Sequence, residues 1–242
     1  GTKKWITCGA LADIFLVFGK LENKPTVAIV DRSTTGVEIR PQRNMLGLRA
    51  ANIADIQFEQ CRILHTDLLG RPGLGLQFLA PFALDWGRLS VTWSCLGMLR
   101  ACVEETSEFL LQRETFGSQL IKHGSIQTLL TRMCTQYEAA LLLSLQATRS
   151  KDANLPQAPN EILAAKYHAT TTAAAQASVA VQLLGARGCE ETGPVAAHYR
   201  DTKVMEIIEG SSQIIERLLA KRYAVRYANG NGASVIKCGN QS

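Results

Sequence analysis

The spacing of apolar residues changes near residue 70, and this change limits the possible folds more than any other feature of the chain. Before it, short runs rich in aromatic and β-branched residues alternate with turn-forming residues, which is typical of strands. After it, from about residue 76 to 227, apolar residues recur every three or four positions, the period of an α-helix. The sequence therefore predicts an α+β protein: a small antiparallel β-domain, residues 1–70, followed by an antiparallel α-helical bundle, residues 76–227. The predicted strands are 3–7, 14–19, 26–31, 37–40 and 53–58.

Several long amphipathic or apolar stretches predict the helices. The predicted helices cover 86–112, the apolar stripe from Ile126 to Leu145, 160–184 and 211–227, and Pro81 marks the start of the first or a kink before it. The stretch 160–184 is alanine-rich, and Glu161 and Lys166 are its only charged residues if His168 is neutral. A helix so apolar on every side is expected in the middle of a bundle or at a subunit interface.

Two glycine-rich segments are predicted to connect or end the domains. The loop 70–75 lacks the lysine and the hydroxyl of a phosphate-binding P-loop, so we interpret it as an interdomain turn. Residues 228–242 contain three glycines and three asparagines and are predicted to form a flexible tail.

Composition argues against several classes of protein. The net charge of +5 comes from dispersed basic residues, without the Lys/Arg run and interleaved aromatic residues of a nucleic-acid interface. The seven cysteines form no CxxC pair and no metal-ligand spacing, which indicates a reduced, cytosolic protein without a metal site. No apolar run is long enough to span a bilayer and no signal peptide is visible. We therefore expect a cytoplasmic protein, or one of the mitochondrial matrix in a eukaryote.

The stretch 200–214 is the strongest candidate for a functional site. Glu209 follows two isoleucines, and a carboxylate with apolar neighbours is poorly solvated, which raises its pKa toward the range of a general base. Gly210 allows a ligand to approach the backbone closely, and the two serines after it are favourable N-cap residues. The N–H groups at such a helix N-terminus attract anions such as a pyrophosphate. The alternative is that Glu209 is only a cap or a surface acid.

Four further segments have both a functional and a purely structural interpretation. Trp5 and Thr7 end the first predicted strand. In one interpretation the indole and the hydroxyl flank a planar ring system, and in the other the indole packs on its own sheet. The segment 113–117 follows a long helix, where an arginine suits the helix dipole without any ligand. The glycines of 182–188 suit an ordinary helix C-terminus. Asp85 and Arg88 are three residues apart on one face of a predicted helix. They are interpreted either as binding a ligand or as pairing with each other.

The order and spacing of these segments together are specific. The chain resembles the acyl-CoA dehydrogenases, a flavin-dependent family, over residues 1 to 225. The family pattern consists of a Trp-Ile-Thr strand, an Arg-x-Thr-Phe-Gly segment after the first long C-terminal helix, a Gln-x-x-Gly-x-x-Gly loop and an Arg-Asp…Glu-Gly-Thr-x-Gln segment. All four recur here at corresponding intervals, with Ser211 in the threonine position. The resemblance implies a middle β-domain and a C-terminal helical bundle, with the family's N-terminal helical domain missing before Gly1.

The resemblance also implies an activity, FAD-dependent α,β-dehydrogenation of an acyl thioester. Glu209 would be the catalytic base, and its own backbone N–H would bind the thioester carbonyl oxygen. Asp85, Arg88 and Gly210 would bind the substrate, whose carrier is coenzyme A or an acyl carrier protein. The residues implied in binding FAD are Trp5, Thr7, Arg113, Phe116, Gln182, Leu184, Gly185, Gly188, Ser211 and Gln213.

Partners are implied by the same resemblance. Arg113, Phe116 and the loop 182–188 would hold the flavin of a neighbouring subunit, so a homodimer or homotetramer is implied. An electron-transferring flavoprotein or oxygen would accept the electrons. Two other functions stay open from the sequence: a non-catalytic or half-site subunit that completes a partner's flavin site, motivated by the missing domain, and a flavin-dependent oxygenase on the same scaffold.

Overall fold

The computed structural model describes residues 1–228, and its internal contacts divide the chain into two compact units. The first unit is Gly1–Trp86, and the second begins at Gly87. Antiparallel strands come first and helices follow, which confirms the predicted fold class. The predicted flexible tail, residues 228–242, lies outside the described residues except for Ala228.

Antiparallel strands build the first unit. They are β1 (Thr2–Ile6), β2 (Ile14–Leu21), β3 (Lys24–Asp31), β4 (Val37–Pro41) and β5 (Ala54–Phe58). A three-stranded sheet has the order β1–β5–β4, and β2 and β3 form a separate hairpin. All five predicted strands are confirmed, with their ends moved by at most a few residues.

The hairpin is longer than predicted because its turn is tight. Glu22 and Asn23 have φ values of 49° and 63°, which is the backbone of a two-residue type I′ turn. Leu21 and Lys24 therefore pair with each other as the last residues of the ladder, although the sequence predicts them as part of the turn.

An apolar cluster joins the hairpin to the sheet within the β unit. Phe15 of β2 lies opposite Val30 of β3, and both pack with Ile56 of β5. These three side chains are almost completely buried. Burial of large apolar groups on one face of each strand explains why alternation predicted these elements well.

Helix α1 (Ala80–Gln112) is preceded by one π-helical turn, Gly75–Leu79. A Cβ placed on Gly75 would lie 3.2 Å from backbone atoms of Pro25 and Thr26, so this turn packs closely on β3. That packing explains why the start of α1 groups with the β unit, and why the unit boundary falls later than the predicted domain boundary at 70–76. The helix also starts earlier than residue 86, because Pro81 lies in its first turn, where proline is tolerated.

The helical unit continues from α1 through α2 (Gly124–Asp152), α3 (Ala158–Leu184), α4 (Pro194–Met205) and α5 (Ser212–Ala228). Helix α3 packs against α2, α4 and α5, so its predicted place in the middle of the bundle is confirmed. Helix α4 is not among the helices that the sequence predicts. Proline at its first position is a common helix start, but the helix is short.

Small side chains let the helices approach closely. The largest helical cluster combines Cys102 and Leu110 of α1 with Met133 of α2 and Ala177 and Ala180 of α3. Alanines on α3 bury their small side chains fully, which brings neighbouring backbones near one another. Within residues 1–228, no helix has both the length and the apolar character needed to cross a bilayer.

Candidate active site

Glu209 lies in a short loop between α4 and α5. We call residues 206–211 the base loop. The N–H of Ser212 donates to the carbonyl oxygen of Glu206 at 3.0 Å, which closes the loop over six residues. The first α5 hydrogen bond runs from the Ile215 N–H to the Ser211 carbonyl at 3.0 Å. Ser211 therefore stands at the N-cap position, as the sequence predicted.

Two successive residues of the base loop have a left-handed backbone. Glu209 has φ 54° and Gly210 has φ 96°. A glycine adopts this conformation freely, but a glutamate does so at a cost of about 1–2 kcal/mol. Such strain persists where the surrounding structure holds it, and it is concentrated at functional sites.

Two cationic side chains hold this left-handed turn. Arg88 Nε on α1 donates to the carbonyl oxygen of Glu209 at 3.3 Å, and Lys166 Nζ on α3 donates to the carbonyl oxygen of Gly210 at 2.8 Å. The resemblance assigns Arg88 to the substrate. The structure places its Nε on the backbone of the base loop, and a role toward the carrier stays a prediction.

The Glu209 carboxyl group lies against helix α1. A Cβ placed on Gly87 would lie 2.6 Å from the Glu209 Cδ and 2.9 Å from Oε1, so only glycine fits at this position without displacing the carboxyl. Burial raises the pKa of Glu209, and the positive charges of Arg88 and Lys166 partly offset the rise. The raised pKa agrees with the sequence argument. Helix α1 lies against the carboxyl at Gly87, whereas Ile207 is 61% exposed.

Trp5 and Thr7 belong to the β unit, and both are exposed. The register of β1 shifts between Lys3 and Ile6, and Trp5 has φ 59°, so the strand carries a bulge at this point. The Trp5 side chain is 60% exposed. Less than half of its surface is therefore buried, and both interpretations of the indole stay predictions.

Arg113 and Phe116 lie at a small hairpin directly after α1. Strands β6 (Glu114–Thr115) and β7 (Ser118–Gln119) pair, and Phe116 and Gly117 form the turn with φ values of 50° and 78°. Phe116 is 98% exposed, so the hairpin presents an aromatic ring entirely to its surroundings. An exposed, strained aromatic residue is a candidate contact for a ligand or another chain.

The loop 182–188 mixes exposed and packed residues. Gln182 and Gly185 are exposed at the end of α3, where Gly185 has φ 60°. Leu184 belongs to the buried cluster of the helical unit. A Cβ on Gly188 would lie 2.5 Å from the Val181 carbonyl oxygen, so close packing requires this glycine whether or not a ligand is bound.

The remaining predicted residues lie on helices. Asp85 is buried on α1, and Gln213 is exposed in the first turn of α5. Lys166 and Gly87 were not among the predicted site residues. A sequence signal existed for Lys166, since it is one of two charged residues in an alanine-rich stretch, but none existed for Gly87.

The described cysteines differ in exposure. Cys95 and Cys102 are buried, and burial raises the pKa of each thiol to about 12, whereas Cys8 and Cys189 are exposed. Among the residues that the structure describes, no three His, Cys, Asp or Glu side chains are grouped to hold a metal ion.

Comparison with known proteins agrees with this architecture. Residues 75–224 match the family described as "Acyl-CoA dehydrogenase, C-terminal domain", and residues 1–61 match "Acyl-CoA dehydrogenase, middle domain". The mitochondrial short-chain specific acyl-CoA dehydrogenase of Sus scrofa is 35% identical over 225 residues, which are 91% of this chain and 54% of that protein. This chain thus spans about half the length of its curated relatives.

Solved structures agree as well. Butyryl-CoA dehydrogenase from Megasphaera elsdenii superposes with a TM-score of 0.88 at 30% identity, over 93% of this chain and 59% of that one. FkbI, described as serving biosynthesis of the methoxymalonyl extender unit of the polyketide Fk520, has a TM-score of 0.85 at 33% identity, over 93% of this chain and 62% of that one. The match of the C-terminal domain covers more than half of the chain, and the chain therefore belongs to the acyl-CoA dehydrogenase family.

Proposed function

We propose that the protein, with FAD bound, dehydrogenates an acyl thioester between its α and β carbons, and that Glu209 is the catalytic base. The observation that carries this proposal is the half-buried Glu209 carboxyl on a left-handed turn held by donors from α1 and α3. Because its pKa is raised, this carboxylate is a stronger base than an ordinary one, as abstraction of an α-proton requires. A helix cap or a surface acid needs neither the strain nor the burial.

The exposed residues of the chain fit FAD. Trp5 offers a flat aromatic face, and Thr7 a hydroxyl donor, for an isoalloxazine ring. Phe116 offers a second exposed ring, and Arg113 beside it a cation for a pyrophosphate. Ser211 and Gln213 at the start of α5 add polar groups where the helix leaves N–H groups unpaired. Their assignment to FAD is part of this proposal.

Glu209 performs two tasks in the proposed reaction. Its carboxylate takes the α-proton of the thioester, and when bound, FAD supplies the acceptor for the β-hydride. Among residues 1–228, none accepts a backbone hydrogen bond from the Glu209 N–H. This N–H is therefore proposed to donate to the thioester carbonyl oxygen, where negative charge develops as the α-proton leaves.

The finer features of the function are proposals of the same kind. The carrier is coenzyme A, as the names of the dehydrogenase relatives suggest, or an acyl carrier protein, the alternative that the resemblance leaves open. A homodimer or homotetramer is proposed because Phe116, which the resemblance assigns to the flavin of a neighbouring subunit, is exposed. An electron-transferring flavoprotein or oxygen is the proposed acceptor. The pig relative is mitochondrial, and we propose the matrix for this protein if its source is a eukaryote.

Replacement of Glu209 tests the proposal. Glu209→Gln keeps the size of the side chain but removes the base, so we expect the anaerobic loss of flavin absorption with a panel of acyl thioesters to slow by about 10²–10⁴-fold. The flavin content should not change. In the unsubstituted protein this rate should fall as the pH is lowered through the raised pKa of Glu209, because protonation removes the base.

Glu216→Gln is the matched control, because Glu216 is an exposed carboxylate on α5 that accepts a hydrogen bond from Tyr167 at 2.7 Å. It should reduce flavin at the normal rate. A Glu209→Gln variant that matches it would refute the assignment of the base. A folded, colourless protein that gains FAD only with a second polypeptide would instead support the half-site subunit.

A further inference from the structure

Lys166 lies in the middle of α3 and is fully buried. A buried ammonium group is costly unless it is paired or hydrogen-bonded. Its Nζ donates to the carbonyl oxygen of Gly210 at 2.8 Å, across 44 residues of sequence. The lysine therefore spans from the centre of the bundle to the base loop, and its position is not explained by packing of an apolar helix.

The charged and titratable groups around Lys166 come from α1 and from the base loop. They are Arg88 and Cys95 on α1, and Glu206 and Glu209 in the loop. The pKa of Cys95 is about 12, so its thiol is neutral near pH 7 and does not balance the charge of the lysine. The two carboxylates favour the ammonium form, while burial and Arg88 disfavour it, and the pKa of Lys166 is lowered to about 8.

Arg88 and Lys166 divide the support of the turn between them. Arg88 bonds the carbonyl of Glu209, and Lys166 bonds the carbonyl of the next residue, Gly210. Because a left-handed glutamate is strained, the loop needs such donors to keep the carboxyl against Gly87. Lys166 is the donor that reaches the loop from α3.

We propose that Lys166 is a positioning residue for the base: its ammonium holds the Glu209–Gly210 turn through the Gly210 carbonyl, and its charge favours the ionised form of the Glu209 carboxyl. The proposal rests on the proposed function, since it assigns Lys166 to the site of that reaction. It goes further by giving two separable roles, a hydrogen bond and a charge, to a residue outside the sets assigned to the thioester and to FAD.

Two substitutions separate these roles. Lys166→Met removes both the donor and the charge while keeping an unbranched, buried chain. Lys166→Gln removes the charge but keeps an N–H donor. Lys203→Met is the matched control, because Lys203 pairs with Glu206 of the same loop at 2.8 Å but is exposed.

The first measurement is amide hydrogen exchange of residues 206–212 in the flavin-free protein. We expect exchange to be about tenfold faster in Lys166→Met, since a hydrogen bond from a charged donor is lost. Lys166→Gln and Lys203→Met should stay near the unsubstituted protein. Unchanged exchange in Lys166→Met would overturn the role of the hydrogen bond.

The second measurement is the titration of Glu209, followed by NMR of carboxyl-labelled glutamate with Glu209→Gln to identify the signal. Both Lys166 variants should raise the pKa of Glu209 by roughly one unit, because a nearby positive charge is removed. Lys203→Met should not. A pKa that stays the same in both variants would overturn the electrostatic role.

Flavin reduction completes the test. In both variants the pH below which the rate of flavin reduction falls should move upward together with the pKa of Glu209. At high pH the rate should recover more fully in Lys166→Gln than in Lys166→Met. If the unsubstituted protein never reduces flavin with thioesters, the proposed function fails, while exchange and titration still decide on Lys166. Should Lys166→Met not fold, Lys166→Gln carries the titration.

Discussion

Two turns in this protein have similar φ angles but different surroundings. Phe116–Gly117 and Glu209–Gly210 each place a large residue and then a glycine in the left-handed region, with φ of 50° and 78° in the first and 54° and 96° in the second. The first turn closes the β6–β7 ladder and projects a side chain that is 98% exposed. The second is held by Arg88 and Lys166 and keeps its carboxyl half-buried.

Strained left-handed residues are therefore stabilised in two different ways in this chain. In the hairpin, ladder hydrogen bonds between main-chain groups compensate for a left-handed phenylalanine. In the base loop, the donors are charged side chains of distant helices, so the support also acts on the electrostatics of Glu209. The first arrangement displays a ring, whereas the second fixes and tunes an acid.

Among changes that leave Glu209 itself in place, the largest effect is expected from a methyl group added beside the carboxyl. Gly87→Ala would place a Cβ 2.6 Å from the Glu209 Cδ and push the carboxyl away without altering the base loop itself. Misplacement of a catalytic group by about 1 Å costs on the order of 10²-fold in rate, and we expect flavin reduction by thioester to slow by that factor.

Gly97→Ala is the control for this change, because it lies on the same helix and a Cβ there meets nothing within 4 Å. Both substitutions improve helix propensity by up to about 1 kcal/mol, so chemical denaturation should find neither protein destabilised through the helix backbone. Equal rates for the two variants would show that Glu209 does not depend on the space at Gly87.

A smaller effect, on stability, is expected when each turn loses its glycine. Gly210→Ala and Gly117→Ala should each lower the free energy of unfolding by about 1–2 kcal/mol, because alanine is strained at φ of 96° or 78°. Only Gly210→Ala should also shift the titration of Glu209. A shift of that titration by Gly117→Ala would contradict the separation of the two turns.

The smallest effect is expected at Phe116. Phe116→Asn should raise the free energy of unfolding by less than about 1 kcal/mol, since asparagine tolerates φ of 50° better and no buried area is lost. The same variant should retain less FAD after dialysis, if the exposed ring contacts the cofactor. Unchanged flavin retention would leave the hairpin without the proposed role.

Local patterns predicted most of the fold. Alternating apolar residues predict the strands, and apolar stripes such as Ile126 to Leu145 predict the long helices. Both patterns are local, because an element with one buried face has regularly spaced apolar residues. Helix α4 is not predicted because its four buried residues, Val195, Ala196, Thr202 and Met205, are unevenly spaced, which leaves only a weak pattern. The sequence predicts the start of α1 too late, because Pro81 is compatible with a kink before the helix as well as with the helix start.

The site was predictable only in part. Glu209 and Gly210 are recognisable from the residues next to them in sequence. The glycine after the acid is compatible with the left-handed turn that the structure shows. The residues that hold this turn are not recognisable from nearby sequence. Lys166 and Arg88 reach the loop across 44 and 121 residues of sequence, respectively. Which helix faces the carboxyl depends on packing of the whole bundle, and a single sequence does not contain that information in a local form.

The most direct test of Glu209 as the base follows the α-proton itself. The FAD-loaded protein is incubated in deuterated water with a saturated acyl thioester and no electron acceptor, and deuterium at the α-carbon is measured by mass spectrometry. We expect exchange with the unsubstituted protein and with Glu216→Gln, and exchange slower by about 10²-fold or more with Glu209→Gln. Undiminished exchange with Glu209→Gln would contradict the account.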